Sequence, residues 1–90
     1  MEKRIGTITI VISDKSAVKS VNDTLSQYSD GILSRQGLPL RDKGLNFINI
    51  VIEATLDEIN ALTGKLGRLE FVEVKAIVSK QKKKKKKNII

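Results

Sequence analysis

The chain contains no cysteine, no histidine and no tryptophan, and its 90 residues include one proline and three aromatic side chains. Without cysteine there can be no disulfide, no thiolate nucleophile and no cysteine metal site. Without histidine, the commonest metal ligand and the usual general base near neutral pH are missing too. Long apolar runs are also lacking: no stretch approaches the roughly 18–20 residues of a membrane-spanning helix. The start, Met1 to Asp14, places two cations before an apolar run, the outline of a signal peptide. That run alternates with threonine and lacks a small-residue cleavage site, so a strand is the better reading. A soluble, cytoplasmic protein is expected.

Ninety residues make one small domain. At this size folding hides only roughly 60–70% of the surface that the unfolded chain exposes. With disulfides excluded, the remaining source of extra stability is burial between subunits, and a homo-oligomer (a dimer or tetramer) is expected. The net charge of +7 is concentrated in one place, because Lys82 to Lys87 carry six of the positive charges. Without them the net charge is +1, so the body is nearly neutral and only the end is strongly basic. The expected organisation is a folded domain over residues 1–80 and a disordered polybasic tail over 81–90.

Along the body, Thr7 to Ile12 is β-branched, with Ile8, Ile10 and Ile12 at period two, which predicts a half-buried strand. Ser13 or Asp14 can cap the helix that follows. In that helix Val18, Val21, Leu25 and Tyr28 fall on one face at about 100° per residue. Asp30-Gly31 is expected to end it, with the glycine in a left-handed conformation. Ile32 to Gln36 reads as a second strand with weak alternation. Gly37 to Gly44, with its proline and bracketing glycines, reads as a loop. Asn46 to Ala54 is a third strand with Ile48, Ile50 and Ile52 on one side. Thr55 and Glu58 have the spacing of a capping box, and Ile59, Leu62, Leu66 and Leu69 repeat the helical stripe. Phe71 to Ser79 alternates as a fourth strand.

A shift of 41 carries Val18, Val21, Leu25 and Tyr28 onto Ile59, Leu62, Leu66 and Leu69. The same shift aligns the preceding strands to within one residue. Two βαβ halves give the order βαββαβ, an α+β ferredoxin-like fold. Right-handed crossovers put both helices on one face of a four-stranded antiparallel sheet. The other face would carry Thr7, Thr9, Val11, Phe47, Asn49, Val51, Glu73, Lys75 and Ile77. That mixture is too apolar for a solvated face and too polar for a core, which favours packing on another subunit. RNA stacking would need aromatic side chains on the central strands, and only Phe47 is suitably placed.

Several residues then become recognisable together: Gly37 to Asn46, the triplet Asp57-Glu58-Ile59, and Leu62-Thr63-Gly64-Lys65-Leu66-Gly67. With the opening Met1 to Ile5 and the phrase Val21-Asn22-Asp23, they resemble the iron-only hydrogenase system regulators, a family whose role is assigned by association with hydrogenase maturation. The resemblance covers residues 1 to about 80. It implies an ACT-like domain related to the effector-binding domain of the nickel-responsive transcription regulator. The metal site of those relatives uses histidines and cannot carry over. The first strand–helix junction, Ser13-Asp14-Lys15-Ser16, also lacks the glycine that amino-acid-binding ACT domains often place there.

No catalytic, cofactor-binding or metal-ligating set is expected. Arg35, Arg41, Asp42 and Lys43 cluster around the expected loop, where arginine could recognise a carboxylate or phosphate or join a subunit contact. Gly64 and Gly67 are candidate ligand or subunit contacts as well, but they match no phosphate-binding fingerprint; close packing or the unwinding of a helix end accounts for them better. Lys82, Lys83, Lys84, Lys85, Lys86 and Lys87 could contact an anion such as nucleic acid without sequence preference. The leading expectation is a non-enzymatic, oligomeric module that senses a small effector or a partner protein. The alternative is a nucleic-acid-binding protein acting through its tail, and an enzyme would have to draw on Arg35, Asp42 or Asp57.

Overall fold

The alternating segments form one four-stranded sheet, all of it antiparallel, in the computed structural model, which describes residues 2–80. Strand β1, Lys3–Ile12, is longer than the threonine-isoleucine run alone suggests. It leads through Asp14 and a single turn of 3-10 helix, Lys15–Ala17, into helix α1, Val18–Ser26. Strands β2, Ile32–Leu40, and β3, Leu45–Thr55, form a hairpin. Helix α2, Leu56–Gly67, and strand β4, Val72–Val78, complete the βαββαβ order. The strands lie in the order β2-β3-β1-β4, which is the ferredoxin-like topology.

The core lies between the helices and one sheet face. Ile8, Ile10 and Ile12 of β1 and Ile48, Ile50, Ile52 and Ala54 of β3 meet Val21 and Leu25 of α1 and Ile59, Leu62 and Leu66 of α2. Burying each such isoleucine or leucine stabilises the fold by roughly 1.5–3 kcal/mol relative to exposure. No polar side chain is buried among the described residues. The sequence repeat has a structural counterpart: Val18 and Tyr28 of the first half, like Leu69 of the second, are partly buried at the ends of the helical stripes.

Two expectations need correction. The Gly37 to Leu40 segment is strand rather than loop, with Pro39 opposite Asn46 and Leu38 opposite Phe47. The reversal is confined to the 3-10 turn Arg41–Lys43 and to Gly44, whose φ of 68° is left-handed. Proline is tolerated because β2 is an edge strand and needs to donate hydrogen bonds on one side only. Gly31 is also not left-handed, since Gly44 is the glycine with positive φ. A Cβ on Gly31 would stand 2.6 Å from the Glu53 carbonyl oxygen, so a close strand approach explains this glycine.

Candidate functional site

Both helices cover the isoleucine side of the sheet, so the opposite side has no cover from the described residues. Strand register lays it out in three rows. Leu38, Phe47, Val11 and Glu73 cross the sheet in one row, and Gln36, Asn49, Thr9 and Lys75 in the next. Ser34, Val51, Thr7 and Ile77 form the third. Thr9 donates through Oγ1 to Asn49 Oδ1 at 2.9 Å, so the middle row carries a neutral cross-strand bond between a row holding Leu38, Phe47 and Val11 and a row holding Val51 and Ile77. Ile77 is 76% exposed and Leu38 58%, a large apolar presence for a solvated strand surface. The residues assigned to this face from sequence alternation therefore do share it. Ser34 and Gln36 of β2 join them, and so does Leu38 because β2 is longer than expected. Phe47 is flanked by aliphatic Leu38 and Val11, so no aromatic platform for bases is formed.

The charged residues named around the hairpin divide between two places. A bulge between Ile32 and Ser34 inserts one extra residue and reverses the facing of everything after it. Arg35 is consequently opposite buried Ile50, on the helix side, where its Nη2 donates to Asn22 Oδ1 of α1 at 2.6 Å. Arg41 and Asp42 lie in the turn, and both are exposed. There Arg41, Pro39 and Gly44 line an open cleft of about 640 Å³ with Ser13, Asp14 and Lys15 of the first strand–helix junction. Asp14 accepts from the Ser16 backbone N–H at 2.9 Å, and this bond holds its carboxyl below the usual range. Asp14 is thus held ionised as a cap, and its negative charge stands in the cleft beside the two positive charges of Arg41 and Lys15.

Gly64 and Gly67 lie on α2. No atom stands within 4 Å of a Cβ added at Gly64, so packing within this chain does not require a glycine there. Gly67 is the last helical residue, and its Cβ would meet Val74 Cγ1 at an ordinary 3.5 Å. Between the helices, Lys65 Nζ donates to Gln27 Oε1 at 3.2 Å and lies 5.2 Å from the centre of the Tyr28 ring, a cation–π contact. Asp57 and Glu58 open α2. Thr55 and Glu58 exchange capping-box bonds, which draw the Glu58 carboxyl below its ordinary range. Among the described residues, no three acidic side chains converge to hold a metal ion. No helix among them is long and apolar enough to cross a membrane. Lys82 to Lys87 lie outside the described residues.

One feature had no local signal. Phe71, just before β4, has a φ of 68°, which is costly for a bulky residue. Its carbonyl accepts from both the backbone N–H of Ser13, at 2.9 Å, and the Ser13 hydroxyl, at 3.3 Å. These bonds join positions 58 residues apart, which no reading of neighbouring residues could pair.

Fold and surface together define a small ferredoxin-like α+β domain with one sheet face covered by helices and the other left open by the described residues. The chain belongs to the TM1266-like family, described as "Iron-only hydrogenase system regulator, putative", which matches residues 4–76. The solved structure of the uncharacterized protein TM1266 from Thermotoga maritima is 40% identical. It superposes with a TM-score of 0.84 over 88% of this chain and 100% of that one. SnoaB, a cofactor-independent oxygenase from Streptomyces nogalater, aligns over 90% of this chain and 96% of its own. Its 17% identity and TM-score of 0.49 are too low to carry functional meaning. No curated protein sequence matches the chain.

Proposed function

We propose that this chain is a non-enzymatic, ACT-like regulatory module of the cytoplasm, assembled from identical subunits through its open sheet face and responsive to a small acidic effector. The carrying observation is that face. Val11, Phe47, Val51, Leu38 and Ile77 lie in register around a neutral threonine–asparagine pair, and none of the described residues covers them. Removing apolar surface from water is worth roughly 25 cal/mol per Å², and a second copy presents the same surface in return. Membership of a family described as regulators favours regulation over catalysis.

The effector reading rests on the cleft at the hairpin turn, where Arg41 and Lys15 offer cations beside the Ser13 hydroxyl. Arginine suits a carboxylate or phosphate there because its planar fork can donate two parallel bonds. A thermal-shift screen of amino acids, nucleotides and inorganic phosphate on the full chain tests this. A true effector at a hundredfold excess over its Kd stabilises the folded state by about 2.7 kcal/mol. That gain should disappear in Arg41→Ala. A flat response to every anion, or a shift that survives Arg41→Ala, would contradict the effector reading.

A further inference from the structure

The sheet has an edge as well as a face. Strand β4 pairs with β1 on one side and, among the described residues, has no strand on the other. Its backbone directions follow from two hydrogen bonds. The Ser79 N–H donates to the Ile5 carbonyl, and the Ser13 N–H donates to the Phe71 carbonyl, both at 2.9 Å. Residues 71 and 79 therefore direct their backbone polar groups toward β1. Because direction alternates along a strand, Val72, Val74, Ala76 and Val78 direct theirs away from it. A groove of about 510 Å³ runs along this edge, lined by Thr9, Val11, Gly67, Glu73, Val74 and Lys75.

We propose that a second copy of this chain docks on that edge, β4 against β4, antiparallel about a two-fold axis at Val74. The proposal rests on the oligomeric reading above and specifies a surface for it. In this register Val74 exchanges backbone bonds with its own copy, and Val72 exchanges them with Ala76. The backbone groups that point away from β1 are thereby all used in the centre of the pairing. The intervening residues then form the close, non-hydrogen-bonded pairs, and these set Glu73 opposite the second copy's Lys75, and Lys75 opposite its Glu73. Shifting the register one step either way sets Glu73 against Glu73 or Lys75 against Lys75, and like charges directly opposite are unfavourable. Charge thus favours this two-fold register over both of its neighbours. A lysine on an edge strand ordinarily discourages pairing; here a carboxylate two residues earlier supplies its partner.

Ile77, 76% exposed, lies on the open face beside the same seam. The product is a continuous eight-stranded sheet with all four helices on one side, which leaves the open face doubled and available for the stacking proposed above. Area also favours a second contact. Four strands about 4.8 Å apart, carrying roughly eight residues at about 3.3 Å each, make a flat face on the order of 500 Å². A standard interface needs about 800 Å² from each partner.

The absence of native cysteine makes the register directly testable. Full-length Glu73→Cys and Lys75→Cys proteins are mixed, oxidised mildly and compared with each protein oxidised alone. Opposed positions at about 4.5 Å meet disulfide geometry, whereas like positions, displaced diagonally, do not. A disulfide dimer at least tenfold more abundant in the mixture is expected. Lys75→Glu should weaken association roughly tenfold, and adding Glu73→Lys should restore it. No excess in the mixture, with light scattering still reporting an oligomer, would overturn the edge assignment and leave the face reading standing. A monomer by scattering would overturn both. Cross-linking that appears only after removal of residues 81–90 would give the edge to the chain's own terminus and overturn the proposal.

Discussion

A Cβ on Gly31 would come within 2.6 Å of the Glu53 carbonyl oxygen, whereas one on Gly64 would meet nothing within 4 Å, and neither residue has a positive φ. The two glycines should therefore respond oppositely to alanine. Gly31→Ala forces backbone apart at the start of β2, and overpacking of this kind destabilises by about 1–3 kcal/mol. Gly64→Ala lies within α2 and removes the conformational freedom of an exposed helical glycine, a gain of about 0.5–1 kcal/mol. Urea denaturation of the two variants checks the signs. A gain at Gly31 or a loss at Gly64 would contradict the packing described. Of the two, only the Gly31 change requires knowledge of a neighbour distant in sequence, which is why a left-handed helix end was the natural reading of Asp30-Gly31.

Helix α2 begins on a capping box whose glutamate titrates. The Thr55 backbone N–H bonded to Glu58 lowers that carboxyl's pKa, so folding favours the ionised form. A depressed folded pKa contributes stability above the unfolded value, near pH 4, and loses it as pH falls through the folded value. Glu58→Gln should therefore be less stable than the parent near pH 7, with the difference shrinking below about pH 4. A difference independent of pH between 7 and 3 would show that the charge is not what the cap uses. This helix was legible from residues 55 to 67 because cap, stripe and termination all agree there. Strands β1 and β3 were legible for a similar reason, each carrying isoleucine at period two against one buried face. The β2 strand was not, because an edge strand tolerates Pro39 and Gly37, and its bulge at Leu33 hides the alternation. That bulge also sends Arg35 to Asn22 rather than to the turn with Arg41. The open face could be read from alternation alone, whereas the cleft joining Ser13 to Arg41 depends on how distant segments fold together.

A chain of this size can bury only one side of its sheet with two helices, and the other side carries its apolar residues in register across all four strands. The proposed function follows from that imbalance: a second copy covers the face, and the cleft at the hairpin turn remains open to an effector. Val51 lies in the row with Ser34, Thr7 and Ile77, opposite the helices, so a lysine there should be harmless to the monomer yet costly inside an interface. The decisive experiment is multi-angle light scattering on the full chain and on Val51→Lys at micromolar concentration. The expected masses are an integral multiple of 10.0 kDa, two or more, for the parent and a smaller species for the folded variant. A parent that runs as a 10.0 kDa monomer at every concentration, or a Val51→Lys protein with unchanged mass, would contradict assembly through the open face.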